Sequence, residues 1–174
     1  RFLERRLVLL EAEGIEFRAG VNVGVDLAAD ELRHSFDAVV LTGGAGWPRD
    51  LRVPGRELAG IHFAMEYLTQ QNRRCEGDEI PADRLISAEG RRVVIIGGGD
   101  TGADCLGTAH RQGAKSVHQL EIVGKPPLTR TAGNPWPEWP LIYRVSSAHE
   151  EGGERVYAVS TTEFVGDGEG RVTA

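Results

Sequence analysis

Four β-branched residues, Val93 to Ile96, run without interruption and stop at Gly97. A short unbroken apolar run of this kind suits a strand buried on both faces, as in a parallel sheet. Beyond Gly102, ADCLGTAHRQG places apolar residues at helical spacing and ends at Gly113, which predicts a helix closed by a glycine. SVHQLEI, Ser116 to Ile122, then reads as a second strand. Strand, helix and strand in this order predict a βαβ unit with parallel strands.

The chain before this unit alternates between shorter patterns. Phe2, Leu3, Leu7, Leu9 and Leu10 recur among charges at near-helical spacing, with Gly14 placed to end the helix. GIEFRAGVNVGVD reads as short strands broken by glycine, and AADELRHSF as a short helix with Asp30 as its cap. Ala38 to Leu41 form a second apolar run, expected to be a buried strand, which Thr42, Gly43 and Gly44 end abruptly. LRVPGRELAG is a loop, IHFAMEYLTQQNRRCEG a helix, and DEIPADRLISAEG a polar connection into Val93.

After Ile122 the pattern loosens. GKPPLTRTAGNPWPEWP predicts a loop packed by its own Trp136 and Trp139, and SSAHEEGGER a solvated polar segment to which no metal is assigned. VYAVSTTEFVGDGEGRVTA reads as a strand, a turn at Asp167 and Gly168, and a return strand.

Composition narrows the functional classes. Twenty basic against 26 acidic residues leave a net charge of −6, which argues against nucleic acid or an anionic membrane as the main partner. Glycine, at 23 of 174 residues, is in excess, as expected where turns are tight or a ligand approaches the backbone. Cys75 and Cys105, the only cysteines, form neither a ligand cluster nor a disulfide framework and read as free thiols in a reducing, cytoplasmic setting. The chain starts without methionine inside an amphipathic pattern and stops after GRVTA, so it is expected to be an internal segment of a longer protein.

The chemistry concentrates in VVIIGGGDTG. Gly97, Gly99 and Gly102 match G-x-G-x-x-G in the context that motif needs, directly after a strand and before a helix. Gly97 allows the tight exit, Gly99 lets a pyrophosphate reach the backbone, and Gly102 lets the helix pack closely on the sheet. Gly98 completes the turn, and the helix N-terminus offers unpaired N–H groups to phosphate. Asp100 is expected as a cap or dipole partner, Thr101 as a phosphate donor or cap, and Cys105 as packing. Glu121 ends the second strand 19 positions past Gly102, where a carboxylate can accept from both ribose hydroxyls of an adenosine. A carboxylate there repels a 2′-phosphate, so the local chemistry favours NADH over NADPH, with Lys125 as the residue that keeps NADPH open.

Longer strings add a family. DAVVLTGG resembles the segment by which two-dinucleotide flavoproteins return to their FAD domain, and it precedes IIGGGDTG as that superfamily requires. With VNVGVDLAADEL, FDAVVLTGGAGWPRDLRVPGRELAGIHFAMEYLTQQNRR, NPWPEWP and SSAHEEGGER, essentially the whole chain resembles the small, or beta, subunit of glutamate synthase. The resemblance implies an α/β, Rossmann-like flavoprotein fold, present in part. Residues 1–55 would close the first FAD-domain segment, 56–90 would connect, and 91–174 would form a truncated NAD(P)H domain. It implies hydride passage from NAD(P)H to FAD, then through iron–sulfur clusters held outside this segment to the large, or alpha, subunit. There 2-oxoglutarate and glutamine give L-glutamate. Gly97, Gly98, Gly99, Asp100, Thr101, Gly102 and Glu121 then fall on the NAD(P)H side. Thr42, Gly43 and Gly44 fall on the FAD side, with Val23 meeting the FAD adenine through its backbone. Other NAD(P)H:FAD subunits of the same build, like those of dihydropyrimidine dehydrogenase or ferredoxin:NADP oxidoreductase, and a non-redox nucleotide sensor remain open alternatives.

Overall fold

The computed structural model describes residues 2–174 as two compact units, one ending at Gly46 and the other running Trp47–Ala174. The first carries helices α1 (Phe2–Ala12) and α2 (Ala29–Ser35) and no named strand. Gly14, at φ +92°, ends α1 as its pattern predicts, and Ile15 N–H returns to the Leu10 carbonyl. Ala28, not Asp30, occupies the cap position of α2. Asp30 lies in the first turn, where its charge suits the helix dipole and its carbonyl accepts from His34 Nδ1.

Two strand expectations fail in this unit. GIEFRAGVNVGVD contributes one isolated bridge, Val23 to Leu27, in place of short strands. Ala38 to Leu41 form no strand, and Leu41 is 89% exposed. The physical reason is pairing: residues 37–46 make no backbone hydrogen bond to any described residue, and a strand exists only as part of a ladder.

The second unit holds α3 (Ala64–Cys75), β1 (Arg92–Ile96), α4 (Asp100–Arg111), β2 (Ser116–Leu120), α5 (Ser147–Glu150) and β3 (Glu154–Val156). The three strands pair in the order β1-β2-β3, all parallel, with Val93 opposite Val117 and Leu120 opposite Val156. This is the strand order of one mononucleotide-binding half of a doubly wound sheet.

Helix α4 lies on the sheet and carries the core. Leu106 and Ala109 are fully buried with Ala88 and Val117, and Tyr67, Val93, Ile95 and Ala114 close over them. Only one face of β1 is covered, so Val94 and Ile96 stay open where the unbroken apolar run predicted burial on both sides. Glutamines tie α3 to the connection before β1. Gln70 accepts from Ile86 N–H, while the Gln112 carboxamide accepts from Tyr67 and from Ala88 N–H and donates to Gln71.

The loop NPWPEWP is not packed by its tryptophans. Trp136 and Trp139 are 83% and 72% exposed. The buried Asn134 side chain organises the loop instead, donating to Glu138 and to the Trp139 carbonyl and accepting from Leu141 N–H. One short amide that satisfies three partners holds a bend more firmly than rings that find no apolar wall. Near the chain end, the Asp167–Gly168 turn forms as expected. Its carboxylate accepts from Glu169 and Arg171 N–H, which holds it below the usual carboxylate range, and Gly166 bridges Val172.

Candidate functional site

The end of β1 leaves the sheet at Gly97 with φ +115°, a conformation that favours glycine strongly. Gly99 is the N-cap of α4 and makes no side-chain cap; Asp100 opens the first turn, so its carboxylate acts on the helix dipole. Gly102 lies against the turn itself. A Cβ there would stand 2.4 Å from the Gly97 carbonyl oxygen and 2.6 Å from Gln119 Nε2. The close helix-on-strand contact predicted for this glycine is therefore present.

Strand β2 supplies what lies beneath the turn. Its alternation puts Val117, Gln119 and Glu121 on one side. Glu121 follows the last strand residue, and its side chain crosses directly over Gly98, where any Cβ would collide with its carboxylate. The acid and the glycine turn, separate in the sequence, are thus brought into contact. Gly99 is different: a Cβ there would meet nothing within 4 Å.

A cavity of about 400 Å³ opens at this point, lined by Gly97, Gly99, Asp100, Thr101 and Gly102 with Ile95, Ile96, Cys105 and Ala64 of α3. Its size falls within the range of small-molecule sites, and apolar walls face a polar, N–H-rich rim as such sites require. Gly98 and Gly99 N–H donate to no acceptor among the described residues. On the cavity wall Gly99 N–H is open to an anion, whereas the Glu121 carboxylate already lies against Gly98.

A family model described as pyridine nucleotide-disulphide oxidoreductase matches residues 5–138. The chain belongs to that family. The small chain of NADPH glutamate synthase from Mycobacterium tuberculosis is 60% identical over 177 residues, covering 100% of this chain and 36% of the relative. Its counterpart from Bacillus subtilis is 44% identical over 98% of this chain and 36% of the relative. NADH glutamate synthase from Schizosaccharomyces pombe is 45% identical over 99% of this chain and 8% of its own length. The chain thus spans about a third of the small chains it matches.

Thr42, Gly43, Gly44 and Val23 belong to the first unit and are all exposed, the first three outside any regular element and Val23 in its isolated bridge to Leu27. Cys105 lies in the core of α4; burial, with Asp104 next, pushes its thiol up to about 11. An alkylating reagent at neutral pH is expected to modify exposed Cys75 and spare Cys105, because the thiolate is the reactive form. Peptide mass mapping checks this, and equal labelling of both would show that α4 opens readily.

Reading the sequence for sites missed Gln119, fully buried beneath the turn, and its partner His149. The available signal was a glutamine on the inward side of a short strand between Val117 and Glu121. A second cavity of about 520 Å³ lies between α3, α4 and α5, with Asp100, Asp104, Arg111 and Ser146 on its walls.

Proposed function

We propose that the full-length protein is the electron-input subunit of a glutamate synthase. It would take hydride from NAD(P)H onto FAD and pass electrons to a large subunit that forms L-glutamate from glutamine and 2-oxoglutarate. The observation that carries this reading is the glycine turn, with Gly97, Gly99 and Gly102 lining a cavity and Glu121 laid over Gly98, in a chain similar along its whole length to glutamate synthase small chains. Hydride transfer between nicotinamide and flavin is chemistry the cofactors supply. Residues 97–102 would hold the nicotinamide dinucleotide by its phosphates and Glu121 by its ribose. Thr42, Gly43, Gly44 and Val23 would serve the FAD. Iron–sulfur clusters would be held outside this chain, and the enzyme would work in the cytoplasm, as its two unbridged thiols suit.

A direct experiment tests the reading. The purified full-length protein should be yellow, and NADH should bleach its flavin absorbance. A colourless protein that holds a nucleotide without turnover would overturn the proposal in favour of a sensor.

Cofactor choice follows from Glu121. The names of the relatives include both NADPH and NADH. A 2′-phosphate would place a second negative charge beside this carboxylate, and like charges at a closed site cost several kcal/mol. Lys125, the nearby cation in sequence, lies 4.7 Å over the Tyr143 ring, a contact that engages its charge elsewhere. NADH is therefore the expected substrate. Glu121→Ser with Ile122→Arg should move the preference toward NADPH by about tenfold or more, at about 1.4 kcal/mol per tenfold. Steady-state rates with both cofactors decide it. A preference for NADPH in the unsubstituted enzyme would show that Glu121 does not face the ribose.

A further inference from the structure

Behind the glycine turn runs a hydrogen-bonded chain whose two ends are backbone groups of fixed polarity. At one end the Gly97 carbonyl accepts from Gln119 Nε2 at 3.0 Å. The Gln119 carboxamide is fully buried, and its Oε1 faces His149 Nε2 at 3.0 Å. At the other end His149 Nδ1 faces Ser146 N–H at 3.1 Å and Ser146 Oγ at 2.9 Å.

These contacts assign every proton. A carbonyl only accepts, so the amide nitrogen of Gln119 must point at Gly97. Its oxygen then faces His149, and Nε2 must carry the imidazole proton. A backbone N–H only donates, so Nδ1 must be bare. The ring is held as the neutral Nε2–H tautomer, and no other arrangement satisfies both ends.

The chain acts on the turn through one peptide unit. In a trans peptide the carbonyl and the following N–H point in opposite directions. Holding the Gly97 carbonyl inward, toward β2, turns Gly98 N–H outward. The same bond secures the positive φ of Gly97 and the close approach of Gly102.

We propose that Gln119 and His149 are positioning residues of the dinucleotide site: by anchoring the Gly97 carbonyl they aim the N–H groups of the glycine turn at the cofactor's phosphates. The inference rests on the dinucleotide reading of that turn. Neither residue touches the ligand; both act through the backbone of Gly97.

Protonation of His149 would set an Nδ1–H against Ser146 N–H and break the chain. Burial, with Arg155 next, holds the imidazole below its ordinary range, so the neutral form prevails at neutral pH. Besides Arg155 on β3, the charges on elements packed around α5 are Asp100, Asp104 and Arg111 of α4, with titratable His110 on the same helix. On α5 and just after it stand Glu150 and Glu151, the latter paired with Arg111; on β2, His118 pairs with Glu154 of β3. A folded-state histidine with a lowered value keeps its contribution above about pH 6.5 and loses it as pH falls below that.

The test uses the full-length protein with NADH as the probe. His149→Ala should weaken NADH binding about tenfold, the effect of one buried hydrogen bond. The rate at saturating NADH and the flavin content should stay unchanged. His149→Gln retains an amide donor for Gln119 and cannot be protonated. It should restore most of the affinity at pH 8 and abolish the weakening expected of the unsubstituted protein as the pH falls into the lowered range where His149 takes up a proton. Unchanged NADH affinity in His149→Ala, or an identical acid weakening in His149→Gln, overturns the proposal. Should the unsubstituted protein bind no nicotinamide dinucleotide, the functional reading fails separately. Amide hydrogen exchange without ligand then judges the anchor: faster exchange at residues 97–102 in His149→Ala supports it, and unchanged exchange overturns it.

Discussion

Gly102→Ala is expected to destabilise the full-length protein by about 3 kcal/mol or more and to weaken NADH binding with it. The added Cβ would stand 2.4 Å from the Gly97 oxygen, a backbone atom already held by Gln119, and 2.6 Å from the Gln119 nitrogen. Neither neighbour can yield cheaply. Moving the carbonyl disturbs a turn at positive φ, and moving Gln119 strands a fully buried carboxamide without its partner. Helix α4 must therefore lift from the sheet, and with it Leu106, whose side chain is fully buried in the core. Urea unfolding measures the loss. An unchanged midpoint would show that α4 and the turn are not in the close contact described.

Gly99→Val should separate binding from folding. Gly99 has φ −72° and ψ −176°, which any residue adopts, and a Cβ there meets nothing within 4 Å. The fold should lose no more than about 1 kcal/mol, the difference between glycine and an apolar residue at an N-cap. The new side chain enters the cavity at the approach of the pyrophosphate. NADH affinity should fall by about a hundredfold or more, at about 1.4 kcal/mol per tenfold, while flavin stays bound. Fluorescence titration with NADH reads the affinity and a thermal melt the fold. An unchanged dissociation constant would remove the turn from the cofactor's path. The pair is informative because two glycines three positions apart fail for opposite reasons, one against its own backbone and one against a ligand.

The βαβ unit was legible because its information is local. Val93 to Ile96, the helical spacing after Gly102, the glycine at 113 and the alternation of SVHQLEI each belong to a single element; the two strands formed within two residues of their expected spans, while α4 began three residues earlier than expected, at Asp100. The glycine turn was legible for the same reason, since positive φ and an exposed helix start are properties of the chain within a few residues.

Expectations failed where an element depends on a partner. Ala38 to Leu41 have the composition of a buried strand, but a strand needs a neighbour to complete its ladder, and none of the described residues provides one. Trp136 and Trp139 looked like packing residues, but a ring packs only where a wall faces it, and Asn134 held the loop instead. Spacing pointed to Glu121 as a ribose acceptor, but that its side chain crosses Gly98 was decided by the fold. The path from Gly97 through buried Gln119 to His149 could not be read either, because its members lie on β1's end, β2 and α5, and nothing short of the parallel pairing of the strands and the seating of α5 on α4 brings them together. Periodicity and glycine placement thus specify the cradle through short-range sterics, whereas the anchor behind it depends on hydrogen bonds between distant segments, whose geometry exists only after the chain has folded.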